Sequence, residues 1–109
     1  MNLLQKKCIP CEGGTKPFSS IQINEYSLLL KSDWEVIESR KISRLFKFKT
    51  FRQALNFVNK VADIAEHEQH HPDITINYSR VRIDLTTHAI KGLSVNDFIM
   101  AAKIEVLNH

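Results

Sequence analysis

The stretch Glu66-His67-Glu68-Gln69-His70-His71-Pro72, followed by Tyr78 and His88, concentrates imidazoles and carboxylates in one part of a 109-residue chain. Histidine has an unperturbed pKa of roughly 6.5, so it both gains and loses a proton near neutrality. The stretch therefore puts three imidazoles and a carboxylate, the residue types of general acid/base catalysis, within reach of one pocket. Pro72 fixes where the chain must turn behind them.

The same stretch satisfies the H-E-x-x-H pattern of zinc peptidases through His67, Glu68 and His71, in which two histidines one helical turn apart hold the metal beside a general-base glutamate. That chemistry requires His71 in regular helix, and a following proline disfavours the α conformation there. No third ligand follows at the expected spacing. Cys8 and Cys11 form a Cys-x-x-Cys, but no second cysteine pair completes a tetrahedral zinc site. They read as unligated thiols, with a redox or metal role as the alternative.

The elements that position these residues follow from periodicity and caps. Residues 8–18 carry Pro10, Gly13, Gly14 and Pro17, so residues 1–18 read as a loop-like lead-in. Ser19 and Gln22 make a capping box, and Ile23, Tyr26, Leu29 and Leu30 predict a helix ending near Lys31. Residues 34–37 and 41–49 predict a hairpin across 38–40, with Ile42, Arg44, Phe46 and Phe48 on one side. Thr50 and Gln53 make a second capping box. It opens a long helix whose apolar face is Phe51, Ala54, Leu55, Val58, Val61, Ala62 and Ala65.

Ile74, Ile76 and Tyr78, then Val81, Ile83 and Leu85, alternate as two strands turning around Ser79 and Arg80, with Tyr78 a core aromatic at a strand end. Ser94 and Asp97 supply a third box for a last helix running towards Asn108, and this capping is the preferred reading of Asp97. The order α-β-β-α-β-β-α predicts an α+β fold, a four-stranded antiparallel sheet with three helices on one face. One domain, residues 1–109, is expected at this length. The last helix is apolar on two sides, so it needs two partners: its own sheet, and either a second subunit or a neighbouring helix. His67 and His109 read as solvated.

Lys and Arg total 15 against 12 Asp and Glu, a net charge of +3 spread along the chain, which gives no basic arm or stripe for nucleic acid. No apolar run of about 18 residues offers a membrane span, and residues 1–10 lack the apolar core of a signal peptide. A cytoplasmic protein is the expectation.

Read as Glu66-x-x-x-His70-His71-Pro72, then Tyr78, His88 and Asp97, the pattern resembles the signature of the pterin-4a-carbinolamine dehydratase family, in its bacterial and plant form. The likeness extends to the Lys7-Cys8-Ile9-Pro10-Cys11-Glu12-Gly13-Gly14 lead-in, Trp34, Phe57-Val58-Asn59-Lys60-Val61-Ala62, Leu85-Thr86-Thr87-His88 and Gly92-Leu93-Ser94.

The resemblance implies dehydration of a 4a-hydroxytetrahydropterin to the quinonoid dihydropterin, supporting tetrahydrobiopterin recycling for an aromatic amino acid hydroxylase, with no metal or organic cofactor. It implies His70, His71 and His88 as catalytic residues, Glu66, Pro72 and Thr87 as substrate-binding residues, and a homo-oligomer, dimer or tetramer. The alternative within the family is a non-catalytic coactivator module, whose sequence mark would be loss of a pocket histidine; all three are present. The chain departs from many relatives at Ala89 and Lys91, close to His88.

Overall fold

A hydroxyl side chain stands at the start of each helix, where it accepts one of the backbone N–H groups that the first turn leaves unpaired. The computed structural model of the chain describes residues 2–9 and 15–107. Cys11, Gly13, Gly14 and His109, and the approach of the last helix to Asn108, lie outside the described residues. The three helices are α1 (Ser20–Ser27), α2 (Phe51–Glu68) and α3 (Val95–Glu105), and the strands are β1 (Glu35–Ile37), β2 (Lys41–Lys47), β3 (Asp73–Asn77) and β4 (Arg80–Leu85).

Ser19 and Ser94 form reciprocal capping boxes with Gln22 and Asp97. At α2 the exchange is incomplete. Thr50 accepts from Gln53 N at 3.1 Å, but Gln53 Oε1 reaches past the cap to Lys49 N. The end of α1 comes earlier than its apolar spacing predicts, because tertiary contacts capture the chain. Lys31 N and the Ser32 hydroxyl donate to Glu105 of α3 at 2.6 and 2.8 Å, and Trp34 Nε1 adds a third bond at 3.1 Å.

The sheet is antiparallel throughout, in the order β1-β2-β4-β3. Glu38 and Ser39, both left-handed at φ 52° and 56°, reverse the chain between β1 and β2. The second hairpin turns at Tyr78 and Ser79, one residue earlier than expected, because Asn77 pairs with Arg80. Tyr78 is therefore expelled from the ladder. Its φ is 51° and it is 73% exposed, which corrects the expectation of a core aromatic.

The buried face of the sheet, Ile42, Phe46, Val81, Ile83 and Leu85, packs under Phe57 and Val61 of α2 and Phe98, Ile99 and Ile104 of α3. Phe51 and Ala62 are exposed, so the α2 stripe is narrower than predicted: Ala54, Phe57, Val61, Ala65 and Glu68. Glu68 thus occupies a core position at the C-terminal end of that stripe. Helix α3 packs on α1, α2, β4 and a 3-10 turn at Leu3–Gln5. Both of its apolar sides find partners within the chain. Among the described residues no helix is long and apolar enough to cross a membrane.

Candidate active site

The C-terminal end of α2 sets up the site. Pro72 bars His71 from the helix, so the helix stops at Glu68, and Gln69 adopts the left-handed cap conformation at φ 56°, its N–H bonded to Ala65 O. Gln69 Nε2 ties back to Glu66 O at 2.6 Å. The reversal separates the next two imidazoles. His70 turns inward with 13% of its side chain exposed, whereas His71 stays outside at 55%. His67 and His71 do not stand one turn apart on a helix, and the H-E-x-x-H reading loses the geometry it requires.

His70 Nε2 lies 2.7 Å from Asp97 Oδ1. Asp97 is fully buried on the first turn of α3, and its other oxygen accepts from Ser94 N at 3.0 Å and from the Thr87 hydroxyl at 2.8 Å. A buried carboxyl group needs its oxygens hydrogen-bonded, and three donors meet that need here. Asp97 is therefore the helix cap that the sequence predicts and also the partner of an imidazole. The Thr87 hydroxyl also meets Ser94 Oγ at 2.8 Å, which ties the end of the sheet to the start of α3.

His71 Nε2 meets Glu66 Oε2 at 2.5 Å on the exposed side of the same turn. Glu66 is 74% exposed, so this pair is well solvated. His88 starts a 3-10 turn, His88–Ile90, in which Ile90 is buried and His88 and Ala89 are exposed. That turn is closed by a bridge in which Thr87 N donates to Gly92 O at 2.8 Å. Lys91 closes the turn in the left-handed region at φ 53°, and a Cβ on Gly92 would lie 2.5 Å from Pro17 Cβ, so glycine is required there by close approach. The His88 ring is exposed and has no hydrogen-bond partner among the described residues.

These elements enclose a cleft of about 280 Å³ lined by Ile9, Gln69, His70, His71, Thr86, Thr87, His88, Ala89 and Asn96. That volume lies just below the usual range for small-molecule sites, ~300–1,000 Å³. His70, His71, His88 and Thr87 are thus brought together. Glu66 stands behind His71, and Pro72 shapes the turn without lining the cleft. Ile9, Thr86 and Asn96 were missed, because none carries a chemistry-bearing pattern and only the tertiary fold brings them to the histidines. A larger groove of about 750 Å³ between β2 and α2, with Lys47, Lys49 and Lys60 at its rim, has neither an imidazole nor a carboxylate in its lining. It does not offer the same proton chemistry near neutral pH.

Beneath the cleft, Glu68 accepts from Cys8 N and from Lys103 Nζ, each at 2.8 Å. Burial pushes the Glu68 carboxyl upward, but the Lys103 hydrogen bond, the Cys8 N–H and the Lys103 charge outweigh it, and the net direction is downward. Burial, with the neighbouring Glu68 charge, raises the Cys8 thiol to about 12, so it stays protonated at physiological pH.

Residues 16–107 match the family model described as pterin 4 alpha carbinolamine dehydratase, and the chain belongs to that family. A protein of Alkaliphilus metalliredigens with the provisional name pterin-4-alpha-carbinolamine dehydratase is 47% identical over 104 residues, 95% of this chain and 94% of its own. One from Rickettsia canadensis, provisionally named alike, is 46% identical over 103 residues, covering 94% of each chain. Both alignments exceed the span of the family model and reach into the lead-in before residue 16. Among solved structures, a transcriptional coactivator/pterin dehydratase from Brucella melitensis superposes with a TM-score of 0.76 at 34% identity, over 83% of this chain and 96% of that one.

Proposed function

We propose that the chain dehydrates a 4a-hydroxytetrahydropterin to the quinonoid dihydropterin by general acid/base catalysis from the histidines of the cleft. The observation that carries this reading is the His70–Asp97 pair, an imidazole at the cleft held by a buried carboxyl group. In the reaction a base takes the N5 proton, the N5 electron pair forms the N5=C4a bond, and the C4a–O bond breaks as an acid delivers a proton to the departing hydroxyl. Water leaves.

Both proton transfers suit imidazole near neutrality. Asp97, accepting from Nε2, directs one proton to that nitrogen and leaves Nδ1 of His70 for exchange with substrate. His88, free of any partner among the described residues, supplies a second imidazole of different character. His71, oriented by Glu66, is the third catalytic residue of the proposal, and Thr87, Pro72 and Glu66 shape the substrate side. The whole chain acts as one dehydratase domain in the cytoplasm, as a homo-oligomer. Its product is the form that a reductase returns to tetrahydropterin, so the setting is tetrahydrobiopterin recycling beside an aromatic amino acid hydroxylase.

A second reading, a protein-binding module without catalysis, is favoured by the Brucella structure, whose name pairs a transcriptional coactivator with a pterin dehydratase. The test is the absorbance change of freshly generated 4a-hydroxytetrahydropterin in chelator-treated buffer, with and without purified protein. Acceleration by the protein supports the dehydratase. Its absence overturns that reading in favour of the binding module.

A further inference from the structure

Residues 2–9 of the lead-in are held far more firmly than their composition predicts, and Ile9 reaches the cleft. Leu3 and Cys8 are buried in the core, and Asn2 caps the Leu3–Gln5 turn by accepting from Leu4 N at 3.0 Å. At residue 9 the backbone is gripped on both sides by one buried side chain. Asn96 Oδ1 accepts from Ile9 N at 3.0 Å, and Asn96 Nδ2 donates to Ile9 O. Cys8 is fixed next to it through Glu68 Oε1 and through Asn96 O, at 2.8 and 3.6 Å.

This grip has a directed result. Ile9 is 64% exposed although its backbone is pinned, and its side chain lines the cleft with His70, His71 and His88. The two anchors belong to the machinery of the site: Glu68 stands two residues before His70, and Asn96 directly precedes Asp97. Fixing a backbone costs conformational entropy, and an apolar side chain held exposed beside a polar site recovers none of it until a ligand covers it. The segment also precedes the residues that match the family model, 16–107.

We propose that residues 2–9 form a working wall of the substrate cleft, in which Ile9 is a specificity-determining apolar contact for the flat pterin ring and Asn96 is the positioning residue that holds it there. This rests on the pterin reading above. Pre-organisation by Asn96 means that the contact is made without further ordering of the chain.

The experiment is isothermal titration of 7,8-dihydrobiopterin, a ring that does not react, into the full chain and into Ile9→Ala, Asn96→Ala and the double variant, with thermal melts of each. Loss of the Ile9 contact is expected to weaken binding about three- to tenfold. The double variant should bind no more weakly than the weaker single variant, since Asn96 acts through Ile9. Ile9 is exposed, so Ile9→Ala should melt with the parent and keeps the test readable should Asn96→Ala prove unstable. An unchanged affinity in Ile9→Ala, additive losses in a folded double variant, or no binding by the parent overturns the proposal. A parent that binds the ring without turning over the hydroxylated substrate overturns the dehydratase reading and leaves the wall to the binding data.

Discussion

Asp97 Oδ1 sits 2.7 Å from His70 Nε2 while its Oδ2 accepts from Ser94 N, so one fully buried side chain starts α3 and holds an imidazole at the cleft. The start of one helix and the chemistry of the site are therefore coupled through a single carboxyl group.

Asp97→Asn separates the two roles. The amide oxygen can still accept from Ser94 N and keep the cap, but the amide nitrogen then faces His70 Nε2 and drives its proton to Nδ1. Turnover is expected to fall about a hundredfold, with circular dichroism unchanged. Steady-state kinetics within about threefold of the parent would show that His70 does not depend on this partner.

The Glu66–His71 pair predicts a contrasting outcome, because both side chains are largely exposed. Solvent screening makes such a pair worth little, about 0–1 kcal/mol. Glu66→Gln should leave the denaturation midpoint nearly unchanged and reduce turnover less than about tenfold. A larger kinetic loss than that of Asp97→Asn would reverse the ranking of the two pairs.

Much of the fold was legible because local signals agreed with one another. The hydroxyl caps at Ser19, Thr50 and Ser94, the α2 stripe and the two alternating hairpins all specify the elements that form. What escaped was decided by distant partners. Glu105 shortens α1 by drawing Lys31 and Ser32 to it, and the register of Asn77 on Arg80 places Tyr78 in a turn. In the site, the histidines were visible by type and spacing. The double duty of Asp97 was not, since a capping carboxylate and a histidine partner look identical until α2 and α3 meet. Asn96 and Ile9 are far apart in sequence, and nothing local joins them.

Glu68 gives the chain an acid-sensitive fastening. Its carboxyl is held below the ordinary 4.5 in the folded state. The stabilisation is therefore fully present above that value and is lost as pH falls through the lower folded-state value. Chemical denaturation from pH 7 down to 3 should show stability declining in the acid range, and Glu68→Gln should flatten that decline while lowering stability at pH 7. An identical acid limb in the variant would assign the loss to other carboxylates.

Gly92→Ala tests the base of the His88 turn. Its new Cβ would lie 2.5 Å from Pro17 Cβ, so one segment must move. A cost of about 1–3 kcal/mol is expected by urea denaturation, together with reduced turnover, since Gly92 pairs with Thr87 at the foot of the turn that carries His88. Unaltered stability would mean that the lead-in near Pro17 yields freely.

The most direct test of the central claim is the turnover of freshly generated 4a-hydroxytetrahydropterin by the parent chain, His70→Ala and His88→Ala in chelator-treated buffer. A fast parent, with each variant folded and slower by about a hundredfold to ten-thousandfold, is the predicted result. A folded His70→Ala that keeps the parent rate would contradict it.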